Sequence, residues 1–589
     1  MYTPVNDIQE VDVPISTFYG LDYNEEIQEG FFAEAVNMTN EDFPVLRQRR
    51  PCVKTQNGGT TGQGALAKKS LAVIRDNYLY WAFGATPVNP TAFSNGDKQL
   101  VSMGAYLIVF PDGFYFNTEK PSDKGYIERH YNTGATSTTF TLCKQDGTAY
   151  ATPTVGPSGP ESPSNGDLWI DTTSTPHTLK QYSAQEDLWT EIPTVYVKIA
   201  NTGIGAGLKM YDSVEISGIV ATGSTIQDQL TFLNGTMIVY DCGDDYIVVA
   251  AIIDQTATLT DDIHVDMTMP SMDYICESNN RLWGCKYGVV NGEPINEIYA
   301  SKLGDFRNWR NFMGLSTDSY TVSVGSDGAF TGCVNYLGYP IFFKENIIHK
   351  IYGTAPANYQ VQNTPARGVQ NGSWRSLCVI DERLYYKSPV DIVTYDGSLP
   401  VKISEPLGDH RYKNAVFGNV HGKLYARMTE GTNSIVTFVY DPRLNTWQRQ
   451  EIPTGIYFCD DNAADGIMID STGAAYKLTD DSQSETISWE LKTGRMSYGH
   501  RMTQQGDSWR LLKCELRMRV DHLSSVKVYA EYDDSGVLER AKEFNCSKLN
   551  TYRLPVFIHK CDHVRLVIRG TGKASIFGIS KIYTQGANR

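Results

Sequence analysis

The same kind of hairpin returns at nearly regular intervals through the second half of the chain, and this recurrence restricts the fold more than any other feature. The cores RLWGCKYG, YPIFFKENIIHKIYG, RLYYKSPVDIVTYDG, KLYARMTEGTNSIVTFVYDP and DGIMIDSTGAAYKLTD succeed one another. Counted from Leu282, Pro340, Leu384, Leu424 and Ile467, the spacings are 58, 44, 40 and 43 residues. A period of roughly 40 to 50 residues with several strands in each repeat is the pattern of propeller blades. Each unit buries its apolar face only against the next, so the series has to close or be capped. Two earlier hairpins fit the same scheme. SLAVIRDNYLYWAFG turns at Asp76-Asn77, and GAYLIVFPDGFYFN turns at Pro111-Asp112-Gly113; both turns use residues suited to tight reversals. With these supplying two blades and the later series about five, the expected fold is all-β: an interrupted propeller of about seven blades.

The interruption falls at about 131–270. GPSGPESPSNGDLWIDTTSTPHTLKQYSAQEDLWTEIP opens with a Pro/Gly/Ser run and continues with short aromatic strands. YDSVEISGIV and LNGTMIVYDCGDDYIVVAAII read as a small barrel with Asn234-Gly235 as a hairpin turn. After about residue 505 the alternation in WRLLKCELRMRVDHLSSVKVYAEYDDSG places Leu512, Cys514, Leu516, Met518 and Val520 on one face. Lys513, Glu515, Arg517 and Arg519 take the other, which is the signature of a half-buried antiparallel strand. The expected organisation is an N-terminal arm (1–50), first propeller blades (51–130), inserted β modules (131–270), remaining blades (271–500) and a C-terminal β-sandwich (501–589). YDPRLNTWQRQEIP resembles a kelch-like blade ending, in which Tyr440 and Trp447 pack between blades.

Helical periodicity is scarce, and no stretch has the 18 or so continuous apolar residues of a membrane-spanning helix. MYTPVNDIQEVDVPIS has neither the basic nor the apolar region of a signal peptide. The 11 cysteines are scattered without a C-x-x-C, which suits buried thiols in a reducing compartment. A net charge of -15 argues against a chain that wraps nucleic acid over most of its surface.

No motif assembles a reaction. GTTGQGALAKKS lacks the Lys-Ser/Thr that must follow the last glycine of a phosphate loop, so it reads as a flexible loop. HKCDH puts His559, Cys561 and His563 on one face of a strand, but three ligands on a flat strand close a tetrahedron poorly. DDNAADG lacks the acidic spacing of a Ca²⁺ loop. GSDGAFTG is a fragment of a sialidase-type box whose repeats are absent. The chain is therefore expected to be no enzyme and to need no metal or cofactor.

The sharpest cationic knot lies in EDFPVLRQRRPCV, where Arg47, Arg49 and Arg50 follow Phe43. Guanidinium groups pair with carboxylates in a bidentate manner. The expectation is that Phe43, Arg47, Arg49 and Arg50 form a contact with a neighbouring subunit, with an intrachain pairing to Glu41 and Asp42 as the competing reading, both in preference to nucleic acid. In the insertion, Trp169, Tyr182 and Trp189 are candidates for stacking on a sugar, with ordinary core packing as the competing reading.

Several segments resemble virion proteins of tailed bacteriophages. GFFAEAVNMTNEDFPVLRQRRP is similar to a motif of phage tail hub or nozzle proteins, also described as packaged-DNA stabilisation proteins. SKLGDFRNWRNFMG with SVGSDGAFTGCVNYLGYPIFFKENIIHKIYG is similar to their propeller segment. GDLWIDTTSTPHTLKQYSAQEDLW is similar to a short module of tail and fibre proteins, and HKCDHVRLVIRGTGKASIFGISKIYTQG to a closing sandwich. The resemblance implies a virion structural protein made in the host cytoplasm. It implies a homo-oligomeric ring, commonly a homohexamer, that contacts other tail or adaptor proteins and lets DNA pass transiently. The 131–270 insertion departs from that pattern. Two rival expectations remain: a tail-tip protein binding host-surface glycan, and a propeller hydrolase of polysaccharide.

Overall fold

The computed structural model describes residues 10–460, 465–479, 486–497, 499–501, 508–521, 524–544, 548–555 and 561–585. Among them nearly all of the regular structure is strand, and helix is confined to a few short turns. The five periodic markers all occupy the second position of a strand: Leu282 in Arg281–Val290, Pro340 in Tyr339–Phe343, Leu384 in Arg383–Lys387, Leu424 in Lys423–Glu430 and Ile467 in Gly466–Asp470. Each of these is the second strand of an antiparallel meander. The long first spacing has a local cause. Between Glu293–Ala300 and Tyr320–Ser323 the chain makes an extended loop before the third sheet is complete.

In chain order the meanders run 62–81, 99–126, 274–323, 332–364, 378–402, 412–450 and 455–477. Their innermost residues surround an axial cavity of about 200 Å³, to which Ala65, Leu100, Ile275, Val334, Val416 and Ile456 each contribute from a different sheet and Leu377 from the residue just before the fifth. This is the closed arrangement that the repeat demanded, a β-propeller. Arg375 props the axis. It donates to the Gln63 carbonyl at 2.7 Å, lies 3.4 Å from Asp97 and stacks over Trp374. Tyr440 and Trp447 face each other across their strands, with ring centroids 4.8 Å apart, and Tyr440 reaches Tyr385 of the preceding sheet.

The last meander is completed by a strand from the other end of the chain: Val53–Gln56 pairs with Ala475–Lys477. The N-terminal segment is likewise woven into the fold. Glu10–Ile15 and Leu46–Gln48 pair with Ala574–Gln585, and Phe31–Val36 pairs with Ser488–Thr493. These segments supply both sheets of the C-terminal sandwich, one of which runs without a break into the sheet of Tyr412–Gln450. Main-chain groups of an isolated extended arm have only water as partners; here the ladders of both sheets take them up.

Two local expectations are corrected. Leu512 points outward, because a register shift between Leu511 and Lys513 inserts an extra residue; Leu511 is buried in its place, followed by Cys514, Leu516, Met518 and Val520. Asn234-Gly235 is not a hairpin turn. A short helix, Gln227–Thr231, precedes it, and the Asn234 amide group bridges both main-chain groups of Ile219. The reversal falls instead between Gly235–Gly243 and Tyr246–Ala250. The insertion forms an eight-stranded sheet, with a separate four-stranded sheet from Thr154–Gly156 to Leu188–Glu191.

One buried cation makes stability depend on pH. Lys387 is buried in the fifth sheet and donates to the Ser388 carbonyl; burial pulls its pKa down to about 8, against the opposing pull of Asp391. The unfolded lysine titrates near 10.4. The penalty for burying the charge is thus complete below pH 8 and is relieved as pH rises towards 10.5. Lys387→Met is expected to be more stable than the parent at pH 7 by about 3 kcal/mol. The gap should close between pH 8 and 10.5 in denaturant titrations of the two proteins; a gap independent of pH would show that Lys387 is not the titrating group.

Candidate functional site: a basic cleft

The cationic knot lines a cleft of about 410 Å³ between Arg47–Pro51 and the residues around Arg519 and Lys573. Two sheet registers build it. Arg47 lies opposite Ser575, and the same Ser575 lies opposite Arg519 on its other side. Register-paired residues present their side chains on one face. The flanking Leu46, Ala574, Ile576 and Val520 are buried on the opposite face, so Arg47, Ser575 and Arg519 share the outer one. Arg519 is steadied by Phe577, its guanidinium 5.6 Å from the ring centroid. Lys573 is exposed at the rim, and its carbonyl accepts from the Asp521 main-chain N–H.

The three arginines of the knot do different work. Arg49 is 7% exposed and donates to Asn37 Oδ1, the Arg50 carbonyl and the Glu451 carbonyl, each at 3.0 Å. It therefore ties the N-terminal segment to the end of the sixth sheet and is not presented to a neighbour. Arg47 pairs with Glu41 and with Asp42 at 3.2 Å, and Arg50 approaches Glu41 at 3.3 Å. These pairs are the ones named by the competing intrachain reading. Burial pushes the Glu41 carboxyl up, but the Arg47 hydrogen bond and charge outweigh it, with Lys423 and Arg50 assisting, and hold it below the usual range. Phe43 is partly exposed beside Tyr19, with ring centroids 6.0 Å apart.

The three aromatic candidates of the insertion lie together. Trp169 is 8% exposed, donates to the Gly156 carbonyl and packs edge-on against Trp189 at 5.5 Å. Tyr182 lies 5.3 Å from Trp189 and donates to Asp187. The Trp169 ring is covered by its own module, as in ordinary core packing; Tyr182 and Trp189 are half-buried.

Of the chemical motifs, GQGALA, expected to be part of a flexible loop, is instead a strand, paired with Leu71–Arg75. His559 lies outside the described residues, while His563 faces Asp533, Asp534 and Asp562. No metal-holding cluster occurs among the described residues. Residues 461–464 of DDNAADG also lie outside them. The contributors that sequence reasoning passed over are Arg519, Lys573 and Ser575. The strict alternation after residue 512 did place Arg519 on the outer face, but nothing local shows that this face meets Arg47.

No family model matches the chain, and no curated protein matches it. Among solved structures it is similar to an exo-β-1,3-galactanase from Phanerochaete chrysosporium, at 9% identity over 52% of this chain and 95% of that one, with a TM-score of 0.21. It is also similar to the endosialidase of phage phi92, at 10% identity over 95% of this chain and 75% of that one, TM-score 0.15. A family 43 arabinoxylan arabinofuranohydrolase from Bacillus subtilis matches at 9% identity over 90% and 96%, TM-score 0.13. Likenesses this slight decide nothing about activity.

Proposed function

We propose that the chain is a structural subunit of a bacteriophage tail that assembles with copies of itself into a ring, a hub or nozzle expected to be hexameric. The resemblance of several segments to tail proteins supports the phage setting. One observation carries the assembly role: the long loop of the third sheet displays apolar side chains to solvent. Phe312 is 60% exposed and Leu315 55%, with Met313 and Leu303 exposed beside them. Met210 and Tyr211 of the insertion extend the patch, joined to the loop by Lys302 over the Tyr211 ring and by the Ser213 hydroxyl donating to the Arg310 carbonyl.

The loop is built stiffly. Asp318 accepts from the main-chain N–H groups of Met313 and Leu315, and Arg307 pairs with Asp212 at 2.8 Å across to the insertion. A fixed, contiguous apolar surface is the ordinary mark of a protein–protein interface. The axial cavity is far too narrow to conduct DNA, so a passage would form between subunits. Negative surface charge there would keep DNA from sticking.

The test is the solution mass of the purified protein, with imaging of phage particles to locate it. Phe312→Asp combined with Leu315→Asp is expected to reduce an oligomer to single chains while leaving the thermal midpoint nearly unchanged. A parent protein that stays a single chain at every concentration and is missing from particles would overturn the reading.

A further inference from the structure

The row Arg47–Ser575–Arg519 has a charge balance that the fold alone does not use. Neighbouring strands lie about 4.8 Å apart, so the two arginine backbones stand roughly 10 Å apart with the serine between them. Glu41 and Asp42 take one side of Arg47, yet its buried Nε–H has no hydrogen-bond partner among the described residues. Neither Arg519 nor Lys573 forms an ion pair with an acidic residue among those described. Asp521 is the one acid in the lining.

We propose that this cleft binds a phosphate group, held between Arg47 and Arg519 above the Ser575 hydroxyl, with Lys573 at the rim. Three features favour a phosphate over a protein segment. The cleft is concave and of small-ligand size, whereas interfaces between proteins are broad. Two cations without acidic partners match a dianion in charge. Donors on both sides and beneath suit a tetrahedral group whose oxygens point several ways, while a planar carboxylate is served by one guanidinium. The net charge of -15 disfavours a long polyanion, so the ligand is a single phosphate group, either free or at the end of a nucleic-acid strand. The site stands apart from the ring reading, and either can fail alone.

Calorimetric titration of the full chain with inorganic phosphate, against chloride at matched ionic strength, is expected to show one saturable site. Arg519→Ala with Lys573→Ala should weaken it by about tenfold or more, and Ser575→Ala by less. Both cations are exposed, so the double variant should keep its thermal midpoint, which separates loss of binding from loss of fold. A short oligothymidylate carrying a 5′-phosphate, compared with its 5′-hydroxyl form, distinguishes the sources. Tighter binding than inorganic phosphate assigns the site to a strand end; equal or weaker binding assigns it to free phosphate. Absence of saturable heat, binding undiminished in the double variant, or saturation by a glutamate-rich peptide alone would overturn the proposal.

Discussion

Arg281→Met should release the loop of the third sheet and lower its local stability by about 3 to 5 kcal/mol. Arg281 is 1% exposed and donates to the carbonyls of Ser301 and Ser316 at 2.8 Å and to that of Asp318. Burial pushes its pKa below the ordinary guanidinium value, with Tyr359 and Asp318 partly offsetting the shift. It pairs with main-chain oxygens, so the residue acts as a clamp on a loop that has no ladder of its own. Methionine fills much of the volume but donates nothing, and the acceptors of Ser301 and Asp318 lose their partner while buried. Native-state hydrogen exchange is the direct measurement: amides of 301–318 should exchange far faster in the variant, with those of the fifth and sixth sheets unchanged. Since Phe312 and Leu315 ride on this loop, the proposed assembly should weaken in parallel. Unaltered protection of 301–318 would show that the loop is held by other contacts.

How much of this was legible in the sequence follows from the range of the interactions. The periodic hairpins were readable because each is a local unit with its own turn: Asp76 and Asn77 both adopt positive φ, and Gly113 does so in the second sheet. Even the irregular first spacing was visible, though the loop that causes it was not separable from strand. What failed was either a single-residue slip or a pairing between distant segments. Leu512 followed the alternation perfectly and was still turned outward, because one inserted residue reverses every face that precedes it. Asn234-Gly235 had ideal turn chemistry, but the asparagine amide serves Ile219 instead. The candidate site was half legible. Arg47 and its acidic neighbours lie within a few residues of one another, so their pairing could be foreseen as one alternative. Ser575 and Arg519 join them only through strand registers linking the two ends of the chain, and no local pattern encodes register between such segments.

Breaking the pairing of Val53–Gln56 should have an effect of similar size, and it tests whether the propeller depends on its closing strand. Successive N–H groups of a strand point in opposite directions, so Lys54→Pro with Thr55→Pro must remove a ladder donor whichever one faces Ala475–Lys477. Thr55 also donates from its hydroxyl to the Ala475 carbonyl. The expected loss is about 3 kcal/mol from the propeller at that seam, for the ladder bond, the Thr55 hydroxyl bond and the acceptors left unpaired. Amides of Gly466–Asp470 and Ala475–Lys477 should lose protection first, and the uncovered edge should promote concentration-dependent aggregation. The strand does more than complete a sheet. Leu46–Gln48 belongs to the sandwich and Val53–Gln56 to the propeller, so the short link between them spans both, with Arg49 anchored midway on Glu451. Detaching one end leaves Arg47 still fixed opposite Ser575. Phosphate binding should therefore survive in the double-proline variant at low temperature while the propeller melts early. If exchange at 466–477 matched the parent, closure would reside in the inner contacts around the axial cavity, and the N-terminal strand would be an ornament on a propeller already sealed.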